Sequence, residues 1–295
     1  MFHRILSPAD ARWSSADPEY TLSDENFARC LEVFQRHYHV VSLADVLAAR
    51  AGDSLLPERA LLITFDDGWS DNEEFALPHL KRAGLPAVMF VAGSAVDRHE
   101  PFWQERLVHA FRAGRLDAAR ARALAHEVGH AANDRHDLDA LRELIARLEK
   151  LDGDRRAELL GGLEDVLSDP IRHMVTPAQL RTLAASGVAI GAHGQSHEPL
   201  IRTDAARELA EVRELLAHQV ESAPVLSFPH GRFDERVIEQ AYAAGYRLLF
   251  TSVPELPRRD ARGHGLLGRV GFTTETITEG GRFAPEKLAL HLFRK

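Results

Sequence analysis

Three stretches of this chain follow one plan: a helix-forming segment, a glycine, then an unbroken apolar run too short for a helix. Residues 71–83 lead to Gly84 and then Ala87-Val88-Met89-Phe90-Val91. Thr176-Pro177 opens a segment that runs to Gly187, before Val188-Ala189-Ile190-Gly191-Ala192-His193. Asp234 opens a third, stopped by Gly245 ahead of Leu248-Leu249-Phe250-Thr251-Ser252. Glycine ends a helix by taking the left-handed conformation beyond its last turn, while Thr, Asp and Pro favour the first turn. Apolar runs without alternation read as strands covered on both faces. Helices and strands that alternate in this way imply a parallel sheet, open or closed into a barrel, with the chemistry at the carboxyl ends of its strands. Further helices are expected after Ser23 or Asp24, carrying Phe27, Leu31 and Phe34, and after Ser42. Another, capped near Thr203, should run through Leu209, Val212 and Leu216 to a strand at Val225-Leu226-Ser227-Phe228.

Residues 99–172 interrupt the plan. They offer helices only, with Leu141, Leu144, Ile145, Leu148 and Leu151 on one apolar stripe, and read as a helical insertion or lid. The expected organisation is a barrel from 1–98 and 173–295 with 99–172 inserted. A chain of 295 residues with 45% hydrophobic content can bury a substantial core. A net charge of -8 argues against a nucleic-acid partner, which normally calls for a basic excess. Cys30 is the only cysteine, so there is no internal disulfide framework or thiolate cluster, and any metal ligands must be His, Asp or Glu. No apolar run approaches the ~20 residues of a membrane span, and the first residues lack the charged lead and hydrophobic region of a signal peptide. As written, the sequence leads one to expect a soluble, cytoplasmic protein.

Against this background three strand tips stand out. Leu61-Leu62-Ile63-Thr64-Phe65 ends abruptly in Asp66-Asp67-Gly68, a buried strand delivering two carboxylates to its tip. Successive strand side chains point in opposite directions, so one carboxylate can hold a cation while its neighbour takes a proton. His193 and His197 lie just past another strand, four apart, close enough for both imidazoles to share a divalent ion. Two histidines with Asp67 would leave a coordination position open for water, as in a catalytic metal site. Phe228-Pro229-His230-Gly231 follows a third strand, in a tight loop whose backbone N–H groups could face an oxyanion.

In their order and spacing these motifs resemble the polysaccharide deacetylase family, the NodB-homology domains of carbohydrate esterase family 4. Thr64-Phe65-Asp66-Asp67-Gly68 matches the first family motif, His193 to His197 the second, and Phe228-Pro229-His230-Gly231 echoes the third. His3-Arg4-Ile5 resembles the opening strand of many members, and Arg269-Val270 their final one. The resemblance implies a distorted (β/α)7-type barrel, a divalent metal, usually zinc, and removal of N-acetyl groups from an amino-sugar polysaccharide or glycoconjugate. By position it makes Asp67, His193 and His197 the metal ligands, Asp66 the base, and the backbone N–H of His230 an oxyanion donor.

The chain also departs from the family. Gly194 stands at a usual serine or threonine, and Ser227 at a usual arginine that positions the catalytic aspartate, a role Arg269 could take. No late motif identifies a general acid, leaving His264 and His291 as candidates. Related amide hydrolysis on a small molecule or formylated lipid sugar, or glycan binding without turnover, are the alternatives. His126-Glu127-Val128-Gly129-His130 fits the zinc-protease pattern HExxH, with His136 beyond it, but no sheet edge accompanies it and a solvated helix is the expected reading. Trp69 and Trp103 are candidates for stacking on sugar rings, with core packing the alternative for an aromatic beside a strand end.

Overall fold

The computed structural model describes residues 1–129, 135–254, 258–259 and 265–293. The chain divides into two compact units, one of Met1–Ser7, Pro18–Arg98 and His173–Lys295, the other of Pro8–Asp17 and His99–Arg172.

The first unit is an α/β barrel, built on a seven-stranded curled sheet. In sheet order its strands are Arg258–Arg259, Gly265–Leu267, Leu248–Phe250, Ser222–Ser227, Val188–Ala192, Ala87–Val91 and Thr64–Phe65. Every pair is parallel except the first, which is antiparallel. The seam between the two sides of the sheet is crossed by Met1 and Phe2. Phe2 donates its N–H to the Thr64 carbonyl at 2.8 Å and accepts from Asp66 at 3.1 Å. Met1 donates to Val270 at 2.8 Å and accepts from Phe272 at 3.0 Å.

Strand Ala87–Val91 shows why apolar runs belong here. Ala87, Met89 and Val91 enter the cluster that contains Phe27, Leu180 and Leu209, whereas Val88 and Phe90 face the one that contains Val46, Val225 and Phe250. Alternate residues thus bury opposite faces, and neither face tolerates a polar side chain. The helices begin where side chains can accept a first-turn N–H: Ser23 serves Asp24–His37, Thr176 serves Pro177–Ala185 and Asp234 serves Glu235–Ala243. Ser42 and Asp45 cap Leu43–Ala51 reciprocally. The helix expected to be capped near Thr203 is capped by Asp204, which accepts from the Arg207 N–H at the start of Ala205–Gln219.

Two expectations about the central stretch need correction. The apolar run 61–65 is not one strand covered on both faces: Ala60–Leu61 pairs with His39–Val40, and Thr64–Phe65 pairs separately with Ala87–Val91. Leu61 and Leu62 remain half-buried. The helix expected over 71–83 opens with a wider π turn, Asn72–Ala76, before the α-helix Leu77–Ala83. Asp71 and Asn72 at its start are buried, their side chains tied to the chain's opening strand, Arg4–Leu6, and its neighbour His3.

The second unit is helical, with Trp103–Arg112, Ala118–Glu127, Leu138–Leu148, Gly153–Gly161 and Glu164–Leu167. Leu141, Leu144, Ile145 and Leu148 pack with Leu107, Leu116, Leu124 and Leu160, as their spacing predicts. Asp117, Asp137 and Asp152 cap three of these helices. The segment Pro8–Asp17 belongs to this unit, through Asp17, which pairs with Arg142 at 2.8 Å, and Ser14, whose carbonyl accepts from Arg112. The helix that carries His126 and Glu127 of the HExxH stretch ends at Glu127. His126 and Glu127 are exposed, Glu127 pairs with Arg155 at 3.1 Å, and His130 lies outside the described residues. His136 packs against Phe111, with ring centroids 4.8 Å apart.

Gly191 sits mid-strand where a Cβ would come within 2.7 Å of Val225 and 2.9 Å of Phe90. Gly191→Ala is therefore expected to lower stability by about 1–3 kcal/mol through overpacking. Urea unfolding checks this, and an unchanged midpoint would contradict the tight packing.

Candidate active site

The candidates Asp66, Asp67, His193, His197 and His230 leave the carboxyl end of a barrel strand or the loop beyond it. Asp66 and Asp67 follow Thr64–Phe65, His193 follows Val188–Ala192, and His230 lies in the turn after Ser222–Ser227. Strand alternation is not what separates the two aspartates. The backbone turns left-handed at Asp67 (φ 82) and Gly68 (φ 104), so the strand has ended before Asp67 is reached. His197 (φ 66) and His230 (φ 56) share that unusual conformation. For residues with a Cβ it costs on the order of 1–2 kcal/mol, and such positions gather at functional sites.

The loops that carry the histidines are held by their neighbours. Gly93 and Ser94 donate backbone N–H groups to the carbonyls of Gly194 and Gln195, at 2.9 and 2.7 Å. The Glu208 carboxylate accepts from the N–H groups of Gln195 and Ser196, both at 2.8 Å. Gly194 itself has φ 73, and a Cβ there would meet Pro229 at 3.1 Å, which accounts for glycine at this place. The His230 ring donates Nε2–H to the His197 carbonyl at 3.0 Å and so braces the left-handed backbone of His197.

Asp67, His193 and His197 converge. Their ligand atoms lie within 4.8 Å of one another, with Asp67 Oδ1 3.4 Å from His193 Nε2 and 3.1 Å from His197 Nε2. His193 Nδ1–H donates to the Ser227 carbonyl at 2.8 Å, so in the neutral ring Nε2 carries the lone pair. That lone pair would face a carboxylate oxygen, so the contact calls for a proton on Nε2 or a cation between the two. Donors about 2.0–2.1 Å from a tetrahedral zinc ion stand roughly 3.3 Å apart, which the observed separations match. The residues present therefore fit a divalent metal.

The three groups are strongly coupled electrostatically. Burial opposes the charge of Asp67, yet His197 and His193 hold its carboxyl well below the ordinary carboxylate range. Burial also works against a charged His193, but Asp66 and Asp67 outweigh it and raise its pKa. Burial, with His197 beside it, pushes the His230 imidazole down to about 3, so this ring is neutral.

Asp66 is buried and differently held. Arg269 Nη1 donates to Oδ1 and Nη2 to Oδ2, both at 2.7 Å, while Ser227 Oγ–H donates to Oδ2 at 3.2 Å. Burial disfavours the carboxylate, but Arg269 overcomes this and brings the pKa to about 2. Arg269 is fixed in turn by the Thr251 carbonyl at 3.0 Å and Ser227 Oγ at 2.7 Å. An arginine from the end of the chain thus occupies the place beside Asp66 that Ser227 cannot fill by itself. A carboxylate has about four lone-pair positions, and the bonds named here use three of them.

Other candidates behave differently. Trp69 is only 1% exposed and cannot stack on a sugar; its indole N–H instead donates to Asp67 Oδ2 at 2.9 Å. Trp103 packs on the helical core under the guanidinium of Arg156. His291 donates to the Gly271 carbonyl at 2.7 Å, and His264 lies outside the described residues. His3, not singled out as a site residue, is close enough to feel both aspartates: burial lowers its pKa, and Asp67 and Asp66 oppose that. An apolar cavity of about 640 Å³ lies along the seam, lined by Phe34, Val46, Leu62, Phe250 and Arg269, but by none of the three candidate ligands.

A family model described as polysaccharide deacetylase matches residues 54–249. YxkH of Bacillus subtilis (strain 168), a provisionally named polysaccharide deacetylase, is 21% identical over 207 residues, which are 69% of this chain and 48% of that protein. The chain thus spans about half the length of this curated relative. The Streptococcus pyogenes deacetylase PplD, solved in complex with acetate, aligns at a TM-score of 0.60 and 16% identity, covering 98% of this chain and 95% of that one. IcaB from Ammonifex degensii aligns at 0.57 and 19% identity, covering 93% and 91%. At such identities the structural likeness speaks for the fold. Among the described residues no helix is long and apolar enough to cross a membrane.

Arg269→Met would leave Asp66 buried without its counter-charge, and a loss of about 3–5 kcal/mol is expected. In a double-mutant cycle, Asp66→Asn added to Arg269→Met should recover part of that loss; strictly additive losses in urea unfolding would contradict the pairing.

Proposed function

Because the chain belongs to the polysaccharide deacetylase family, we propose that it is a metal-dependent hydrolase that removes N-acetyl groups from an N-acetylhexosamine polysaccharide or glycoconjugate. One observation carries the reading: Asp67, His193 and His197 bring their ligand atoms within 4.8 Å of one another, beside a second carboxylate that Arg269 keeps ionised. Imidazole with carboxylate suits zinc, and three protein ligands leave a position open. When bound, such an ion polarises an acyl oxygen and acidifies water.

The chain's own groups would do the rest. Asp66 accepts a proton from the water that adds to the acetyl carbon, through the lone pair left by its bonds to Arg269 and Ser227. Arg269 orients that carboxylate and Ser227 supports it. The left-handed turn at His230 offers its backbone N–H to the oxygen on which charge develops. As the C–N bond breaks, the proton held by Asp66 must reach the departing amine, giving acetate and a free amino sugar. Glycan binding without turnover rests on a missing arginine beside Asp66 and on the absence of an identified general acid; Arg269, 2.7 Å from Asp66, speaks against the first of these grounds.

Asp67→Ala should abolish zinc uptake, measured by metal analysis, and acetate release from chito-oligosaccharides and β-1,6-linked glucosamine polymers. Asp66→Asn should keep the metal and lose about 10²–10⁴-fold in turnover, as expected when a general base is removed. Undiminished deacetylation by Asp67→Ala would refute the assignment, and turnover of small amides or formylated lipid sugars alone would transfer it to another substrate class.

A further inference from the structure

Asp67 has two oxygens with different surroundings. Oδ1 faces His193 Nε2 and His197 Nε2, whereas Oδ2 accepts the Trp69 indole N–H at 2.9 Å. An indole nitrogen only donates, so it can neither bind a cation nor turn to accept a proton. We infer that Trp69 is a positioning residue for the metal: its N–H occupies Oδ2, fixes the rotation of the carboxylate and presents Oδ1 alone to the ion. The inference rests on the metal-site reading proposed above.

The surroundings of Trp69 suit that task. Its backbone forms an antiparallel bridge with Met174, and Ser70 beside it donates to the His173 carbonyl at 2.9 Å. The Arg4 guanidinium lies over the ring, 4.3 Å from its centroid. Arg4 is completely buried and is itself held by Asp71 at 2.9 Å and by His173 Nδ1 at 3.3 Å. The remaining Asp71 oxygen accepts from the Ile5 N–H at 3.0 Å and from Asn72 at 3.1 Å. The ring is thus clamped between fixed parts, and rigid support is what a carboxylate needs when its own backbone is left-handed (φ 82). Aromatic packing alone would be served equally by phenylalanine. A donor aimed at a metal-ligand oxygen would not.

The test uses the full chain with Zn²⁺ and Co²⁺ as probes. Trp69→Phe keeps an aromatic ring under Arg4 but lacks the donor, and β-(3-benzothienyl)alanine at position 69 keeps the full two-ring shape without the N–H. Both are expected to bind Zn²⁺ roughly 10–100-fold more weakly in competition with a chelator, the range for loss of an outer partner of a metal ligand. Both should also change the visible absorption of the Co²⁺-loaded protein. Zn²⁺ dissociation constants and Co²⁺ spectra equal to wild type in the benzothienyl variant would overturn the inference and leave the metal site standing, even if Trp69→Phe failed to fold. A wild-type protein that takes up no Zn²⁺ would overturn both.

Discussion

The structure turns on the buried pair between Arg269 and Asp66. It joins the stretch just past strand Gly265–Leu267 to the tip of strand Thr64–Phe65, across a span of 203 residues, and also reaches Thr64 and Ser227. Both charges are withdrawn from water, which is tolerable only because the bonds are bidentate and the remaining guanidinium N–H groups find oxygens. Barrel closure and carboxylate orientation therefore share one contact. The backbone supports it in parallel, since Met1 and Phe2 bond to the carbonyls of Thr64 and Val270 on the two sides of the seam.

A second constraint comes from the loops at this end of the barrel. Asp67, His197 and His230 all adopt positive φ, a conformation that non-glycine residues avoid, and Gly68, Gly194 and Gly231 adopt it beside them. Such backbone persists because other bonds determine it: Glu208 on the His193–His197 loop, the His230 ring on the His197 carbonyl, the Asp67 carbonyl on the Ala92 N–H. The turns trade local stability for a fixed direction of three side chains. A regular strand or helix could not aim three groups from separate segments at one point.

Much of this could be read in advance. Ala87–Val91 and Val188–Ala192 announced themselves because five apolar residues behind a helix-ending glycine have few alternatives. Capping side chains acted where they were expected at Ser23, Ser42, Thr176 and Asp234, since a cap is a bond between residues three apart. Near Thr203 the cap is the adjoining Asp204, whose side chain accepts from the Arg207 N–H. The run 61–65 misled because no local feature divides it; its halves pair with different strands and differ in burial, Leu61 and Leu62 staying half-buried. Trp69 misled for another reason, because an indole carries both an apolar face and a donor, and only its surroundings show which is used.

The sequence by itself determined the alternation of helix and strand, the helix marked by the Leu141–Leu148 stripe, and which donor types stand at the strand tips. Those properties depend on side chains a few residues apart, whose interactions are present in any local segment of the chain. The tertiary structure alone decided that Asp67, His193 and His197 share one small volume, that Arg269 rather than Ser227 neutralises Asp66, and that Trp69 faces inward. Each of these is a meeting of groups whose distance is set by how the whole sheet curls, and no local bond in the sequence encodes it.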